Sequence, residues 1–261
     1  MKKFYAILNT VIIFLVIFWN YWSNTRAING NTVGSLSDQY ANLFTPAGYA
    51  FSIWGIIFLS LIALAMYQIK LAFWSFDDSN SILKIGPWLS IANIGNAAWL
   101  WFWLNEQTAI SVIIMLLILF SLIKVILRLN MARWDAPVKE IIFIWWPISF
   151  YSGWIAVATI ANISAYLAKT GWIAVFSEVQ WTIIMISIAG LLNLFMIYTR
   201  NMREFAVVGI WAISAIAVRH SNDVEVLKWT SIFWAVILSI AVSVHAARKT
   251  STNPFTKLLK K

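Results

Sequence analysis

Cysteine is absent from the 261 residues, which excludes disulfides, thiolate metal ligands and cysteine nucleophiles. Histidine is scarce at two, so no protein metal site is expected. Charge is thin as well: 11% of residues are Asp, Glu, Lys or Arg, and the 10 acids are outnumbered by 19 bases. No apolar segment carries Asp, Glu or His at its centre, and His245 falls near the end of the last one, where a partly solvated interface residue is the expected reading. Acid–base catalysis and intramembrane proton relays both need such groups. No catalytic residues are assigned, the chain is not expected to be an enzyme, and no cofactor is implied.

What remains is apolar. Hydrophobic residues make up 61% of the chain and the mean hydropathy is +0.78, more than a polar surface in water could cover. An all-α integral membrane protein is expected. A ruler of roughly 20 residues per bilayer crossing marks about eight transmembrane helices, near 4–22, 47–69, 86–105, 108–128, 139–168, 179–199, 203–219 and 228–247. The first begins Met-Lys-Lys like a signal peptide, but it runs on to Trp19 and Trp22 without a small-residue cleavage site and reads as a retained helix.

Lys and Arg set the orientation. With both termini cytoplasmic, 15 of the 19 basic residues fall on the cytoplasmic side, including Lys70, Lys84, Lys124, Arg128, Arg200, Lys257, Lys260 and Lys261. Only Arg26, Lys169, Arg219 and Lys228 stay outside. The net charge of +9 then faces anionic lipid, and no nucleic acid is needed to explain it.

Residues 23–46 form a long outer connection, a candidate lid or simply a packed loop, whereas 130–140 reads as a surface linker. The third segment carries Asn93, Asn96, Trp99 and Trp103, and the fifth carries Tyr151, Trp154, Ala158 and Asn162, each set at three- and four-residue spacing along one helix face. Asparagines facing lipid would leave amides unsatisfied, so both stripes should turn inward. Helix rise puts Trp54, Trp99 and Asn162 each within about 10 Å of the outer end, Asn96 near 13 Å and Trp154 near 21 Å. Two readings follow: interhelical hydrogen bonds with aromatic filler, or a small-molecule pocket among the second, third and fifth helices. Trp19, Trp22, Trp74, Trp88, Trp145, Trp146, Trp172, Trp181 and Trp229 fall near segment ends and read as interfacial belt. Asn193 reads as an interhelical hydrogen bond.

Three fragments carry a family resemblance. "YSGWIAVATIAN" (Tyr151, Trp154, Ala158, Thr159, Asn162) resembles the fifth-helix signature of the TspO/MBR family, the tryptophan-rich sensory proteins related to the mitochondrial translocator protein. "GNAAW" (Asn96, Ala98, Trp99) resembles its third helix, and "TPAGYAFSIWGIIF" (Pro46, Phe51, Trp54, Phe58) its entry to helix two, with Phe58 where the family usually has Tyr. The Phe51 to Trp54 spacing is one residue shorter than in short members, and Pro147 stands farther from Tyr151 than the usual Pro-Tyr pair. A cholesterol pattern is incomplete, with Ile163 ahead of Tyr166 and Lys169, so no sterol is implied.

The resemblance implies a TspO-like five-helix transmembrane bundle over residues 1–168, and residues 169–261 add a three-helix transmembrane extension with a basic cytoplasmic tail. It also implies a membrane-embedded sensory protein, in a bacterial plasma membrane, binding a flat lipophilic small molecule such as a tetrapyrrole; a transporter of lipophilic or amphipathic molecules is the alternative. The implied ligand-binding residues are Trp54, Phe58, Asn96, Trp99, Tyr151, Trp154, Ala158 and Asn162, with Phe44, Pro46 and Tyr49 as lid. The partners are then a porphyrin-like ligand and the lipid bilayer, with a homodimer left open by the small residues of 206–218. The extension should pack beside the bundle without entering its pocket, since every signature residue precedes Ala168.

Overall fold

The computed structural model describes residues 1–26, 28–74, 80–172, 175–249, 254 and 257; Lys260 and Lys261 of the basic tail lie outside the described residues. The described residues form α1 (Lys2–Arg26), α2 (Val33–Gln39), α3 (Ile53–Phe73), α4 (Ser81–Ile85), α5 (Trp88–Leu104), α6 (Thr108–Arg128), α7 (Val138–Glu140), α8 (Trp146–Lys169), α9 (Glu178–Arg200), α10 (Arg203–Arg219) and α11 (Glu225–Arg248), and no strand. A π-helical turn at 141–145 joins α7 to α8, so the fifth expected segment is one run of 32 residues.

Among the described residues, eight helices of 17 residues or more stand at the eight expected places. The runs containing α1, α3, α6, α8, α9 and α11 are long and apolar enough to cross a membrane. The other two, α5 and α10, have 17 residues each, a rise of about 25 Å.

Local signals explain where helices start and stop. Ser177 and Gln180 form a capping box at the start of α9, and Asn201 ends it in the left-handed conformation at φ 55°. Thr32 and Ser35 cap the short α2 in the same reciprocal way. Arg128, at the end of α6, donates through Nε to the Lys84 carbonyl at 2.7 Å and so ties that end to α4.

The core is one large apolar cluster running from Ile13 of α1 to Ala241 of α11, with a small second one of Ala6, Leu71 and Ile82. Helix α8 lies at its centre, against α3, α6 and α10, while α11 packs only onto α9 and α10 among the closely packed helices. Close approach of α8 and α10 requires Gly153, where a Cβ would stand 2.8 Å from the Phe205 carbonyl oxygen. A buried polar network joins three helices: Asn9 Nδ2 donates to Gln68 Oε1 at 3.0 Å, and Ser90 Oγ donates to Asn9 Oδ1 at 2.6 Å.

Two expectations need correction. Trp145 is buried edge-on against Trp134 and is no interfacial belt residue. The belt reading rested on nearness to a segment end, which says nothing of facing; within the π turn the ring turns inward onto Trp134. Among the described residues Asn193 makes no interhelical hydrogen bond: its Nδ2 donates to Ala189 of its own helix at 2.8 Å, and its amide is pressed against Gly209 of α10. Other residues of the expected belt are partly withdrawn as well, since Trp19 donates to the Ala97 carbonyl at 3.1 Å and stacks on Trp22.

Candidate functional site

Residues 28–52 fold over one end of the bundle, the loop end, and supply part of the wall of a small cavity. Thr45 caps the turn by accepting from the Asn42 N–H at 3.0 Å, and Asn42 Oδ1 accepts from the Phe44 N–H at 3.0 Å. These bonds satisfy the backbone of a buried turn. Phe44 is buried beneath it, and Pro46 then leads into a 3₁₀ turn, Gly48–Ser52, that opens α3.

Beneath this turn lies a small cavity of about 50 Å³, walled by Thr45, Pro46, Phe51, Trp54, Trp99, Trp103, Met115, Trp154, Ala158 and Asn162 together with Val33 and Ser37 of α2. Among the described residues, no charged or histidine side chain lines it. The Trp154 ring stands edge-on to Phe51, with centroids 5.9 Å apart at 82°, and Trp99 stacks on Trp103 at 6.0 Å. Asn162 is the polar corner: its Oδ1 accepts from Trp99 Nε1 at 3.3 Å, and its amide lies within hydrogen-bond distance of Ser111 Oγ on α6.

A second space of about 470 Å³ adjoins the first on the α1 side. Asn20, Tyr21, Asn24 and Thr25 of α1 line it, with Phe58 stacked 5.2 Å from Trp54. Val33, Phe51, Trp54 and Trp99 belong to both linings. Two indole rings, one phenyl ring and one aliphatic side chain therefore stand between the small cavity and the larger groove.

Of the residues singled out from the sequence, Trp54, Trp99, Trp154, Ala158, Asn162 and Pro46 meet around the cavity, and Phe58 lines the groove. The remaining four stand elsewhere. Asn96 accepts from Asn20 Nδ2 at 2.9 Å and bridges α5 to α1. Tyr151, fully buried, donates its hydroxyl to the Ala92 carbonyl at 3.2 Å and turns its ring edge to Trp54 at 6.0 Å. Phe44 packs in the core, and Tyr49 points away, edge-on to Trp211 of α10 at 5.2 Å.

Sequence reading missed Trp103, Phe51 and Ser111 as members of the arrangement. Trp103 extends the α5 stripe, and Phe51 was already part of the family-like fragment, so both carried a signal. Ser111 carried none, because a lone serine in an apolar helix gains meaning only from what faces it.

The loop end also holds a polar anchor. Tyr40 donates its hydroxyl to Glu106, and the Lys169 ammonium sits 5.1 Å from the Tyr40 ring centroid. Burial first, then the hydrogen bond and charge of Glu106, push the Tyr40 phenol up to about 12.

No curated protein and no solved structure matches the chain. The pattern of the family described as TSPO-like protein matches residues 6–244, which takes in α9, α10 and most of α11 as well as the signature helices. With its long apolar helices, its tryptophans and this match along almost its whole length, the chain is an integral membrane protein that belongs to the TSPO-like protein family.

Proposed function

We propose that the protein binds a flat lipophilic ligand, such as a tetrapyrrole, between α3, α5 and α8, and acts as a tryptophan-rich sensory protein. The observation that carries this reading is the shared wall of Val33, Phe51, Trp54 and Trp99 between cavity and groove. A cavity of about 50 Å³ is too small for a drug-sized molecule, which needs roughly 300–1,000 Å³. Rotating Trp54 or lifting α2 would merge it with the 470 Å³ groove and reach that range. Indole faces would then stack on the ligand while Asn20, Asn24 and Asn162 meet its polar edge.

Packing beneath the cavity favours a sensor over a transporter. The Asn20–Asn96 bridge, the Tyr151–Ala92 bond and the Asn9–Gln68–Ser90 network fill the interior between α1, α3, α5 and α8. A transport route would have to break them. Catalysis is disfavoured because the cavity lining offers no carboxylate or imidazole.

We further propose that residues 1–168 form the ligand-binding unit and 169–261 its support, with the loop end outside the cytoplasm and both termini inside. Titrating the purified protein with protoporphyrin, haem and lipids, followed by tryptophan quenching, tests the binding reading. Saturable quenching lost in Trp54→Ala supports it; unsaturable quenching unchanged by that variant would sink it.

A further inference from the structure

Residues 38–50, which cover the cavity, are held from outside the five signature helices. Helix α10 and the turn after it supply five separate contacts. The Ala47 N–H donates to the Ala215 carbonyl at 3.0 Å, and Trp211 Nε1 donates to the Ala50 carbonyl at 3.1 Å. Tyr49 meets the Trp211 ring, and Arg219 Nη1 pairs with Asp38 Oδ1 at 3.0 Å. The fifth contact is His220, which caps α10 and is 3% exposed. Its Nε2 lies 2.7 Å from the Leu43 carbonyl oxygen, and its Nδ1 lies 3.0 Å from Asp223 Oδ1.

Both oxygens opposite the ring are acceptors. A backbone carbonyl never donates, and the Asp223 carboxyl is held below the usual carboxylate range, first by the Val224 N–H and then by His220 itself. A neutral imidazole has one N–H and one lone pair. It can satisfy the carbonyl or the carboxylate, and must then turn its lone pair on the other at hydrogen-bond distance. Only the imidazolium donates to both.

We propose that His220 is a positioning residue for the loop: in its doubly protonated form it ties Leu43 to α10 and Asp223, and its deprotonation loosens the loop over the cavity. Thr45 and Pro46, two and three residues beyond Leu43, are cavity wall, so the tether acts directly on the roof. Its consequence for ligand exchange rests on the proposed ligand site; the tether itself does not. The charged groups around the ring are Asp223 on its own turn, the Arg219–Asp38 pair toward α2, and Lys228 of α11, whose Nζ donates to the Ser221 carbonyl at 3.3 Å. Of these groups Asp223 is the one in direct contact with the ring, at 3.0 Å.

The test is amide hydrogen exchange of residues 40–47 in the full-length protein in nanodiscs, from pH 5 to 8 where histidine side chains change charge, corrected for intrinsic exchange. The Ala47 amide reports it, because its acceptor is the Ala215 carbonyl on α10, whereas the amides of Asn42, Phe44 and Thr45 bond within the turn itself and are the local reference. Protection should fall about tenfold as pH rises, the scale of losing one charged hydrogen bond. His220→Gln should flatten the profile. Asp223→Asn, which leaves the ring intact and serves if the first variant folds poorly, should move the fall to lower pH. Arg219→Gln should lower protection evenly at every pH.

A flat wild-type profile would overturn the proposal, as would parallel profiles in wild type, His220→Gln and Asp223→Asn. Porphyrin dissociation measured over the same range separates the two readings. A rate that rises with pH supports both. A constant rate beside a pH-dependent exchange profile supports the tether and counts against the ligand site.

Discussion

Helices α8 and α11 are 24 residues each and both strongly apolar, yet 72% of the most apolar stretch within Val138–Lys169 is buried against 22% within Glu225–Arg248. Small and polar residues make the difference. On α8, Ser149, Ser152, Gly153, Ala156, Thr159, Asn162, Ser164 and Ala165 are distributed around the helix, so other helices approach it from several sides. On α11, Phe233, Val236 and Ile240 stay exposed in the isolated chain, where lipid would cover them. Hydrophobicity puts both helices in the bilayer, and small side chains decide which becomes the axis.

That contrast can be broken first by direction. Helix α8 runs toward the loop end and α11 away from it, so reporters fused after residue 35 and at the C-terminus should fall in opposite compartments. A shared compartment would discard the charge-based orientation altogether.

Packing comes next. Gly153→Leu should prevent folding, and Gly153→Ala should cost about 1–3 kcal/mol in reversible unfolding in detergent, because the new Cβ meets backbone at 2.8 Å. Val236→Ala on the exposed face of α11 should stay within about 0.5 kcal/mol. Equal losses at the two sites would erase the distinction between axis and rim.

Within α8 the polar corner should matter for stability. Asn162→Leu leaves Trp99 Nε1 without its acceptor, while Ser111 keeps the Thr108 carbonyl, and should cost about 1–3 kcal/mol. Trp154→Phe removes a larger ring face but keeps an aromatic against Phe51, so it should weaken porphyrin binding about tenfold, or roughly 1.4 kcal/mol, with little change in melting. Trp172→Phe, half-exposed and outside the cavity lining, is the control. If Trp154→Phe lowers the melting temperature and leaves affinity alone, α8 is axis without being site.

The smallest effect is electrostatic. The Tyr40 phenol is raised from 10.0 to about 12, so its folded form favours the proton. The stabilisation is complete below the unfolded value near 10 and is lost as pH rises through about 12. Wild type should therefore lose stability across that window more steeply than Tyr40→Phe, as alkaline melting curves would record. A matching decline would remove Tyr40 as an anchor of the loop.

The all-helical membrane architecture, the places of the long helices and the inward stripes of α5 and α8 were legible because bilayer thickness and helix period are one-dimensional rules, although six rather than eight helices are long and apolar enough to cross. Asn93, Asn96, Trp99 and Trp103 are all buried, while Ile94 and Trp101 on the same helix are exposed. The stripe indicated a facing but not a partner. It could not say that Asn162 would meet Trp99 and Ser111 whereas Asn96 would meet Asn20. Trp145 was misplaced because nearness to a segment end, which suggested the belt, does not say which way a ring turns.

The deepest divide concerns residues 38–50. Hydropathy and turn residues along the chain suffice to make this segment a loop, and to put Pro46 and Trp54 near its end. Its position over the cavity depends on Ala215, Trp211, Arg219 and His220, more than 160 residues further along. Local propensity has no access to such contacts. They need α10 packed close on α8, an approach that Gly153 permits because a Cβ there would meet the Phe205 carbonyl at 2.8 Å.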